Sequence, residues 1–237
     1  MKTTSPKKAS TSTRKSSSQK GKTIEEAYKK IKNMIYFHEL VPGQKIIYSD
    51  LARRLNISMT PVTQALNRLE YSNLVRYEPN KGYFVGEITE TEARELYEMR
   101  EALEIFNIPS IIKNLKPKDL IEIKKSFKDH SRSRDPESRR LLILKDAQFH
   151  MKMAEYGNNK VIYKQLKGAL EEICLKYRPE YMGEERINDA IREHRAILNA
   201  IEKRDADSAI TSMKGHIRKG MEYVINSLRQ RNRHVLF

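Results

Sequence analysis

Residues 48–85 constrain the fold most, because they contain two short helical patterns joined by a tight turn and followed by a hairpin pattern. Apolar residues recur at helical spacing on both sides of Asn56-Ile57-Ser58, which has the composition of a turn. Pro61 fits the first turn of the second helix, where its missing N–H costs nothing. Two short apolar runs then flank Pro79-Asn80-Lys81-Gly82, which indicates a β-hairpin.

An amphipathic helical pattern over residues 24–40, ended by Pro42-Gly43, precedes this segment. Three helices followed by a two-stranded wing are the layout of a winged helix-turn-helix. The third helix of that layout presents its N-terminus to phosphate and its exposed side chains to base edges in the major groove. The DNA-binding residues predicted on this helix and on the wing are Ser58, Met59, Thr60, Thr63, Gln64, Asn67, Arg68, Lys81 and Gly82. Gln64 and Asn67 can pair bidentately with adenine, while Met59 and the threonine methyls can contact thymine methyls.

The charge of the chain agrees with a polyanionic partner. There are 46 Lys and Arg residues against 31 Asp and Glu residues, a formal net charge of +15. Residues 1–22 contain basic residues, Ser and Thr but no acidic residue, so they predict a disordered basic tail. Such a tail either raises DNA affinity without adding specificity or only keeps the protein in solution.

The compartment and the membrane relation are also constrained. No apolar run approaches the roughly 18 residues that a membrane helix needs, so no membrane contact is expected. The single cysteine, Cys174, cannot form an internal disulfide, which fits a reducing cytoplasm.

From Thr89 onward the sequence has helical periodicity throughout, and six helical patterns with short connections predict an antiparallel all-α bundle. The fold class is therefore mainly α. We expect a tail over 1–22, a winged helix-turn-helix DNA-binding domain over 23–88, and a helical effector-binding and dimerisation domain over 89–237. Pro109 is expected to bend or end the first helix of this last domain, and Asp135-Pro136 to begin its third.

Four residues of the helical half have a spacing that suits a metal ion. Asp146 and His150 are four residues apart and share one helix face, while His194 and His216 lie in two further apolar helical patterns. They could converge on one divalent ion, or be an accidental set, since Asp-x-x-x-His pairs often arise by chance. Three imidazoles favour zinc, nickel, cobalt, copper or iron over calcium and magnesium.

The stretch from Leu51 to Leu66, with the continuation Arg68-Leu69-Glu70 and the wing Lys81-Gly82-Tyr83-Phe84-Val85, resembles the GntR family of bacterial transcription regulators. The family pattern is roughly L-A-x-x-L-x-V-S-R-T-P-V-R-x-A-L. It usually has arginine where this chain has Met59 and Thr63, so the operator of typical members should not be assumed for this chain.

The helical half resembles the FCD ligand-binding domain, the FadR-type branch of the same family. The motifs that carry the resemblance are Asp146-x-x-x-His150, Glu193-His194-x-x-Ile197 and Met213-x-x-His216-Ile217. The resemblance implies that Asp146, His150, His194 and His216 ligate a divalent metal, with zinc as the expected ion and nickel or manganese as alternatives.

The same resemblance implies that Arg100 holds a carboxylate effector and that Asn158 belongs to the pocket. An ion pair of Arg100 with Glu104 or Glu101 is the alternative role of this arginine, and helix capping is the alternative role of Asn158. The resemblance as a whole predicts a dimeric, non-enzymatic transcription regulator that binds a DNA operator, a metal and a small organic acid. The competing functions are a DNA-binding protein with a purely structural metal and a metal-dependent hydrolase, and a cavity beside Arg100 would argue against the structural metal.

Overall fold

The computed structural model describes residues 13–132, 139–178 and 182–234, which form two compact units that divide between Gly86 and Glu87. The first unit is a small helical domain with a sheet, and the second is entirely helical in its described residues. The predicted fold class is thus confirmed. Within these ranges, no helix is both long enough and apolar enough to span a bilayer.

Three helices build the first unit: α1 (Thr13–Tyr36), α2 (Tyr48–Leu55) and α3 (Met59–Tyr71). The buried residues Ala27, Ile31 and Ile35 recur along one face of α1, and this helix packs against α3. Asn56 ends α2 in the left-handed conformation, with φ of 53°. Asparagine tolerates this conformation, so the chain can turn directly into α3.

The wing is a three-stranded antiparallel sheet. Its strands are β1 (Lys45–Ile46), β2 (Val75–Glu78) and β3 (Gly82–Val85), in the order β1-β3-β2. Val75 pairs with Val85, and Glu78 pairs with Gly82 at the turn of the hairpin. Gly82 has φ of +94°, a conformation that strongly favours glycine. The hairpin was predicted from the sequence, whereas β1 is too short to produce a periodic pattern.

The prediction of disorder over residues 1–22 needs a correction. The backbone of residues 13–22 is helical and continuous with α1. Once the apolar residues from Ile24 onward hold the helix against α3, each further residue extends it at low cost. Residues 1–12 lie outside the described residues.

The second unit contains α4 (Glu90–Asn114), α5 (Pro117–Arg132), α6 (Arg139–Tyr156), α7 (Lys160–Lys176), α8 (Glu184–Glu202) and α9 (Ala206–His234). Thr89 caps α4 and Asn159 caps α7 through their side chains. Pro109 does not end α4, which continues for five residues to Asn114. Buried Ile108 and Ile111 anchor the helix on either side of the proline, and this packing offsets the one backbone hydrogen bond that it removes. The predicted helix start at Asp135-Pro136 lies outside the described residues.

The core of this unit contains several buried polar and charged side chains. α9 packs against α4 and α8, and α4 also contacts α6 and α7. The buried polar or charged side chains of the described residues are Arg100, Glu104, Asn107, His150, Lys176, His194 and His216. Burying such groups is costly unless they are paired, so their partners define the site.

Candidate functional site

Three helices bring the four predicted metal ligands together. Asp146 and His150 lie one turn apart on α6, and α8 and α9 contribute His194 and His216. One potential ligand atom from each of these four side chains lies within 4.8 Å of the other three. All three histidines are buried, and Asp146 is partly buried.

The imidazoles face one another through a single type of nitrogen. The Nε2 atom of His150 lies 3.2 Å from Nε2 of His216 and 3.2 Å from Nε2 of His194. The third separation, between His194 and His216, is 3.1 Å. The Asp146 carboxylate approaches the same point, with Oδ1 at 3.3 Å from His194 Nε2 and Oδ2 at 3.9 Å from His150 Nε2.

Two carboxylates orient two of these rings by contacting Nδ1, the ring nitrogen on the side away from the cluster. The Nδ1 atom of His150 contacts Glu104 Oε2 at 2.5 Å, and Glu104 in turn accepts from Arg100 Nε at 2.9 Å. Each imidazole with such a partner is held in one orientation and one tautomer. Glu104 lies one helical turn after Arg100. From this spacing the sequence offered an ion pair between the two residues, and it did not predict the contact of Glu104 with His150.

The second carboxylate is Glu193. It accepts from Nδ1 of His216 at 2.8 Å and from Arg186 at 3.0 Å. Sequence reasoning did not assign Glu193 a role, although it directly precedes His194 in the FCD-like motif. Glu193 and His194 point away from α8 in different directions. The position of Glu193 next to His194 therefore did not reveal that it contacts His216.

Both carboxylates are ionised despite their surroundings. Burial alone would raise the pKa of Glu104, but His150 and Arg100 lower it from 4.5 to about 2. Burial likewise opposes ionisation of Glu193, and the hydrogen bond from His216 and the charge of Arg186 lower its pKa to about 2. Both carboxylates are therefore hydrogen-bond acceptors, and the Nδ1 atoms facing them carry the protons.

A cavity opens beside the cluster. Its volume is about 70 Å³, which is enough for a few water molecules or one small ligand group. Arg100, Asp146 and His216 line the cavity together with Arg186, and its remaining lining is mostly aliphatic and aromatic. The cavity and the metal cluster thus share Asp146 and His216.

Arg100 makes the ion pair with Glu104 that the sequence offered as an alternative, and its binding of a carboxylate effector stays a prediction. Its Nε atom is paired with Glu104, and its guanidinium lies 5.2 Å from the centre of the Tyr97 ring. Its Nη2 atom is buried without a hydrogen-bond partner among the described residues. A buried donor of this kind is costly unless a ligand or water satisfies it.

Asn158 does not line this cavity, and its effector role stays a prediction. The residue is exposed, has φ of 54°, and lines a separate depression with Glu155 and Tyr163. It lies directly after α6, in the left-handed conformation that asparagine tolerates at a helix end. The cap of α7 is its neighbour Asn159.

The first turns of α3 present the predicted DNA-reading residues to solvent. Ser58 occupies the N-cap position, and its side chain makes no capping hydrogen bond within the described chain. Thr60 and Gln64 are exposed, and Met59 is 53% exposed. The Thr63 hydroxyl donates to the Met59 carbonyl at 3.1 Å, which leaves the threonine methyl as the apolar end of this side chain. On the wing, Lys81 is exposed and pairs with Glu78 at 3.1 Å, beside Gly82.

Two of the predicted DNA contacts have other partners. Arg68 donates to Glu25 of α1 at 2.7 Å and stacks on the Tyr28 ring at 4.4 Å, and this bond lowers the pKa of Glu25. Asn67 accepts from the Tyr83 hydroxyl, which ties α3 to the wing. In this structure Arg68 thus makes an internal contact of the unit and Asn67 positions the wing, and DNA contact by either residue stays a prediction.

Family models match both units. Residues 23–85 match the model described as "Bacterial regulatory proteins, gntR family", and residues 95–219 match the FCD domain. The FCD match covers more than half of the chain and includes Arg100 and all four clustered residues.

Proteins that resemble this chain over most of their length are transcriptional regulators. The HTH-type transcriptional regulator YdhC of Bacillus subtilis is 23% identical over 208 residues, which are 86% of this chain and 91% of YdhC. McbR of Escherichia coli is 22% identical over 179 residues, 75% of this chain and 81% of McbR.

Solved structures share the fold. The structure of E. coli McbR/YncC aligns with a TM-score of 0.70 at 19% identity, covering 86% of this chain and 97% of that one. A GntR regulator from Rhodococcus sp. RHA1 aligns with a TM-score of 0.73 at 19% identity, with the same coverage of both chains. The chain therefore belongs to the GntR family of bacterial transcription regulators, as a DNA-binding regulator with an FCD domain and not as an enzyme.

Proposed function

We propose that this regulator binds one divalent metal ion through Asp146, His150, His194 and His216, and that a small carboxylate effector bound beside the ion modulates operator binding. The proposal rests on one observation, the convergence of three imidazole Nε2 atoms within 3.1–3.2 Å of one another.

The Nε2 atoms of His150 and His216 cannot satisfy each other by hydrogen bonding. His150 and His216 each direct a protonated Nδ1 to an ionised carboxylate. In a neutral imidazole the other nitrogen then carries a lone pair and no proton. Two such lone pairs facing each other at 3.2 Å repel unless a cation lies between them. A metal ion removes the repulsion and uses the carboxylate–histidine pairs as its outer support.

The donor set selects the kind of ion. Tetrahedral ligands that bind zinc at about 2.0–2.1 Å lie roughly 3.3–3.4 Å from one another, and the observed nitrogen separations of 3.1–3.2 Å are only slightly shorter. Three imidazoles and one carboxylate suit zinc, with nickel or manganese as alternatives. When bound, the ion supplies a positive centre that attracts an anionic effector.

The cavity favours an effector site over a purely structural metal. A carboxylate in the cavity can accept a hydrogen bond from the Nη2 atom of Arg100. An effector acts only through different affinities for two arrangements of the protein, so its binding must couple to the DNA-binding unit.

We also propose that a homodimer binds a pseudo-palindromic operator through the exposed start of α3 and through the wing. The exposed Met59 and the methyl of Thr63 favour contacts with thymine methyls, and Gln64 favours adenine. This operator class differs from one read by arginines at these two positions.

The metal part of the proposal is tested by thermal unfolding of metal-free protein with added zinc. The parent protein and the control His38→Asn should both gain stability, since His38 lies in the other unit and asparagine tolerates its φ of 57°. His194→Ala should gain little, because the ion binds only the folded site. Equal gains for parent and His194→Ala would overturn the assignment.

The effector part is tested with Arg100→Lys, which keeps the positive charge beside Glu104 but loses the planar fork. We expect this variant to retain zinc and to lose the change in operator affinity that a carboxylate produces in the parent. Loss of zinc together with the response would assign Arg100 to the metal site alone. Fluorescence anisotropy with an operator selected in vitro measures the response.

A further inference from the structure

We propose that the first unit carries an apolar groove that receives thymine methyl groups, and that Ile47 and Tyr77 determine operator specificity together with Met59. This inference rests on the proposed operator binding through α3 and the wing, and it names the chemical group that this surface recognises. Ile47 directly precedes α2 and Tyr77 lies on β2, so both residues lie outside the helix that the sequence marked for base recognition.

The exposed apolar side chains of the first unit are concentrated in one place. A groove lies between the start of α2, the start of α3 and the wing. The large apolar side chains exposed among the described residues of this unit are Phe37, Ile47, Tyr48, Met59, Tyr71 and Tyr77. All of them except Phe37 and Tyr71 line the groove. Single exposed apolar residues are ordinary on a protein surface, whereas a cluster of them marks an interaction site.

Three separate segments build the apolar wall of this groove. Ile47, Met59 and Tyr77 are each about half exposed, at 54%, 53% and 49%. Thr63 lies beside Met59 in the groove, and its hydroxyl is bound to the Met59 carbonyl. The groove therefore offers mainly carbon atoms to a ligand where α3 begins.

The position of Tyr77 is fixed relative to α3. Its ring packs on the ring of Tyr83, with 5.0 Å between the ring centres. The Tyr83 hydroxyl in turn donates to the side chain of Asn67 on α3. The wing and α3 thus hold the two sides of the groove at a set separation, so the groove is formed before a ligand arrives.

The charge of the rim favours DNA as the occupant. Lys45 and Lys81 line the groove and are exposed, and no carboxylate of the described residues lines it. Lys81 pairs with Glu78 at 3.1 Å, outside the groove lining, and Lys45 adds a second positive charge on β1. An apolar surface between two lysines matches a DNA strand, in which methyl-bearing bases are flanked by phosphates.

Thymine is the base that such a surface selects. In the major groove of DNA only thymine presents a methyl group, at C5. The side chains of Ile47 and Met59 have no strong hydrogen-bonding group, so they distinguish bases by this methyl and not by donors or acceptors. Burial of one methyl group contributes about fourfold to affinity.

The test compares an operator selected in vitro with the same duplex in which deoxyuridine replaces every thymine. Deoxyuridine keeps the hydrogen-bonding groups of thymine and lacks only the methyl. We expect the full-length protein to bind the deoxyuridine duplex at least about tenfold more weakly in anisotropy titrations, because each of two half-sites loses about fourfold. The same replacement in a scrambled duplex should change its affinity less than about twofold.

Variants on the protein side locate the effect. Ile47→Ser removes one apolar wall and places a favoured N-cap residue before α2, so the helix is retained. Tyr77→Thr removes the opposite wall with a residue that suits a strand. Both variants should bind the thymine operator severalfold more weakly and lose most of the difference between the two operators. Tyr71→Thr is the control, since Tyr71 is 93% exposed and lies outside the groove, and it should keep the whole difference.

The outcomes separate this inference from the function on which it rests. Equal affinity of the parent for both operators, or an undiminished difference in Ile47→Ser and Tyr77→Thr, would overturn the thymine groove and leave operator binding in place. Absence of sequence-specific binding to any selected duplex would overturn both. Equal losses on operator and scrambled duplex would assign the groove to the sugar–phosphate backbone. A changed oligomeric state of the two variants in light scattering without DNA would assign it to a second copy of the chain, and either result would contradict the proposal.

Discussion

At the scale of single residues, the site depends on pairs in which a carboxylate holds an imidazole from behind. Glu104 holds His150 and is itself held by Arg100, so a cavity residue and a proposed metal ligand share one carboxylate. Glu193 connects His216 with Arg186 in the same way. An effector that binds either arginine therefore also affects the carboxylate that orients a proposed metal-binding histidine.

Glu104→Gln should weaken zinc binding by about tenfold to a hundredfold, because the neutral amide is a poorer acceptor for the Nδ1 proton of His150. Competition with a chromophoric chelator measures the affinity. Glu101→Gln is the control, since Glu101 lies on the same helix but pairs with Arg218. Unchanged affinity in Glu104→Gln would show that the carboxylate does not support the metal ligand.

Cys174 provides a pH-dependent prediction, because burial raises the pKa of its thiol to about 12. Between its ordinary value of 9.0 and about 12, the unfolded chain releases a proton that the folded chain retains. This difference lowers the free energy of unfolding as pH rises above about 9. The folded thiol should resist alkylation by iodoacetamide at pH 8.5 and react after denaturation, and rapid labelling of the folded protein would contradict its burial.

At the scale of elements, α3 has two faces with different tasks. Its first turns expose Thr60 and Gln64, whereas Arg68 near its end faces α1 and binds Glu25. The sequence alone shows only that Arg68 lies outside the apolar stripe. Its partner, Glu25, follows only from the packing of α1 against α3.

Gln64→Ala or Thr60→Ala should weaken binding to the selected operator by about 1–3 kcal/mol and leave binding to a scrambled duplex nearly unchanged. Arg68→Ala is expected to lower thermal stability more than operator discrimination, because it removes a contact between helices. Anisotropy titrations with both duplexes compare the three variants. A loss of operator discrimination in Arg68→Ala alone would reverse the assignment of the two faces.

The difference between local sequence patterns and contacts between distant segments explains how much of the structure the sequence could predict. Helical periodicity predicted α2, α3 and the helical half, and local turn chemistry predicted the hairpin, because these signals come from neighbours in the chain. The spacing of Asp146 and His150 placed both on one face of α6. The roles of Glu104 and Glu193, the position of Asn158 outside the cavity and the strand β1 depend on contacts between distant segments, which no local pattern contains.

At the scale of the whole molecule, the excess of positive charge is concentrated at the N-terminus. Deleting residues 1–21 removes six positive side chains from each protomer, so for the proposed dimer it should reduce the slope of log K against log salt by up to roughly eleven units. A tail of the same composition in scrambled order should preserve the slope, since phosphate neutralisation depends on charge. An unchanged slope after deletion would show that the tail makes no contact with DNA.

The central claim is that three imidazoles and one carboxylate bind one metal ion in the helical domain. X-ray absorption at the zinc edge of the zinc-loaded protein tests it most directly, because imidazole rings give characteristic outer-shell scattering. The account predicts nitrogen and oxygen ligands at about 2.0–2.1 Å with three imidazoles, reduced to two in His216→Ala. A sulfur ligand at about 2.3 Å, or a shell of oxygens without imidazole, would contradict it.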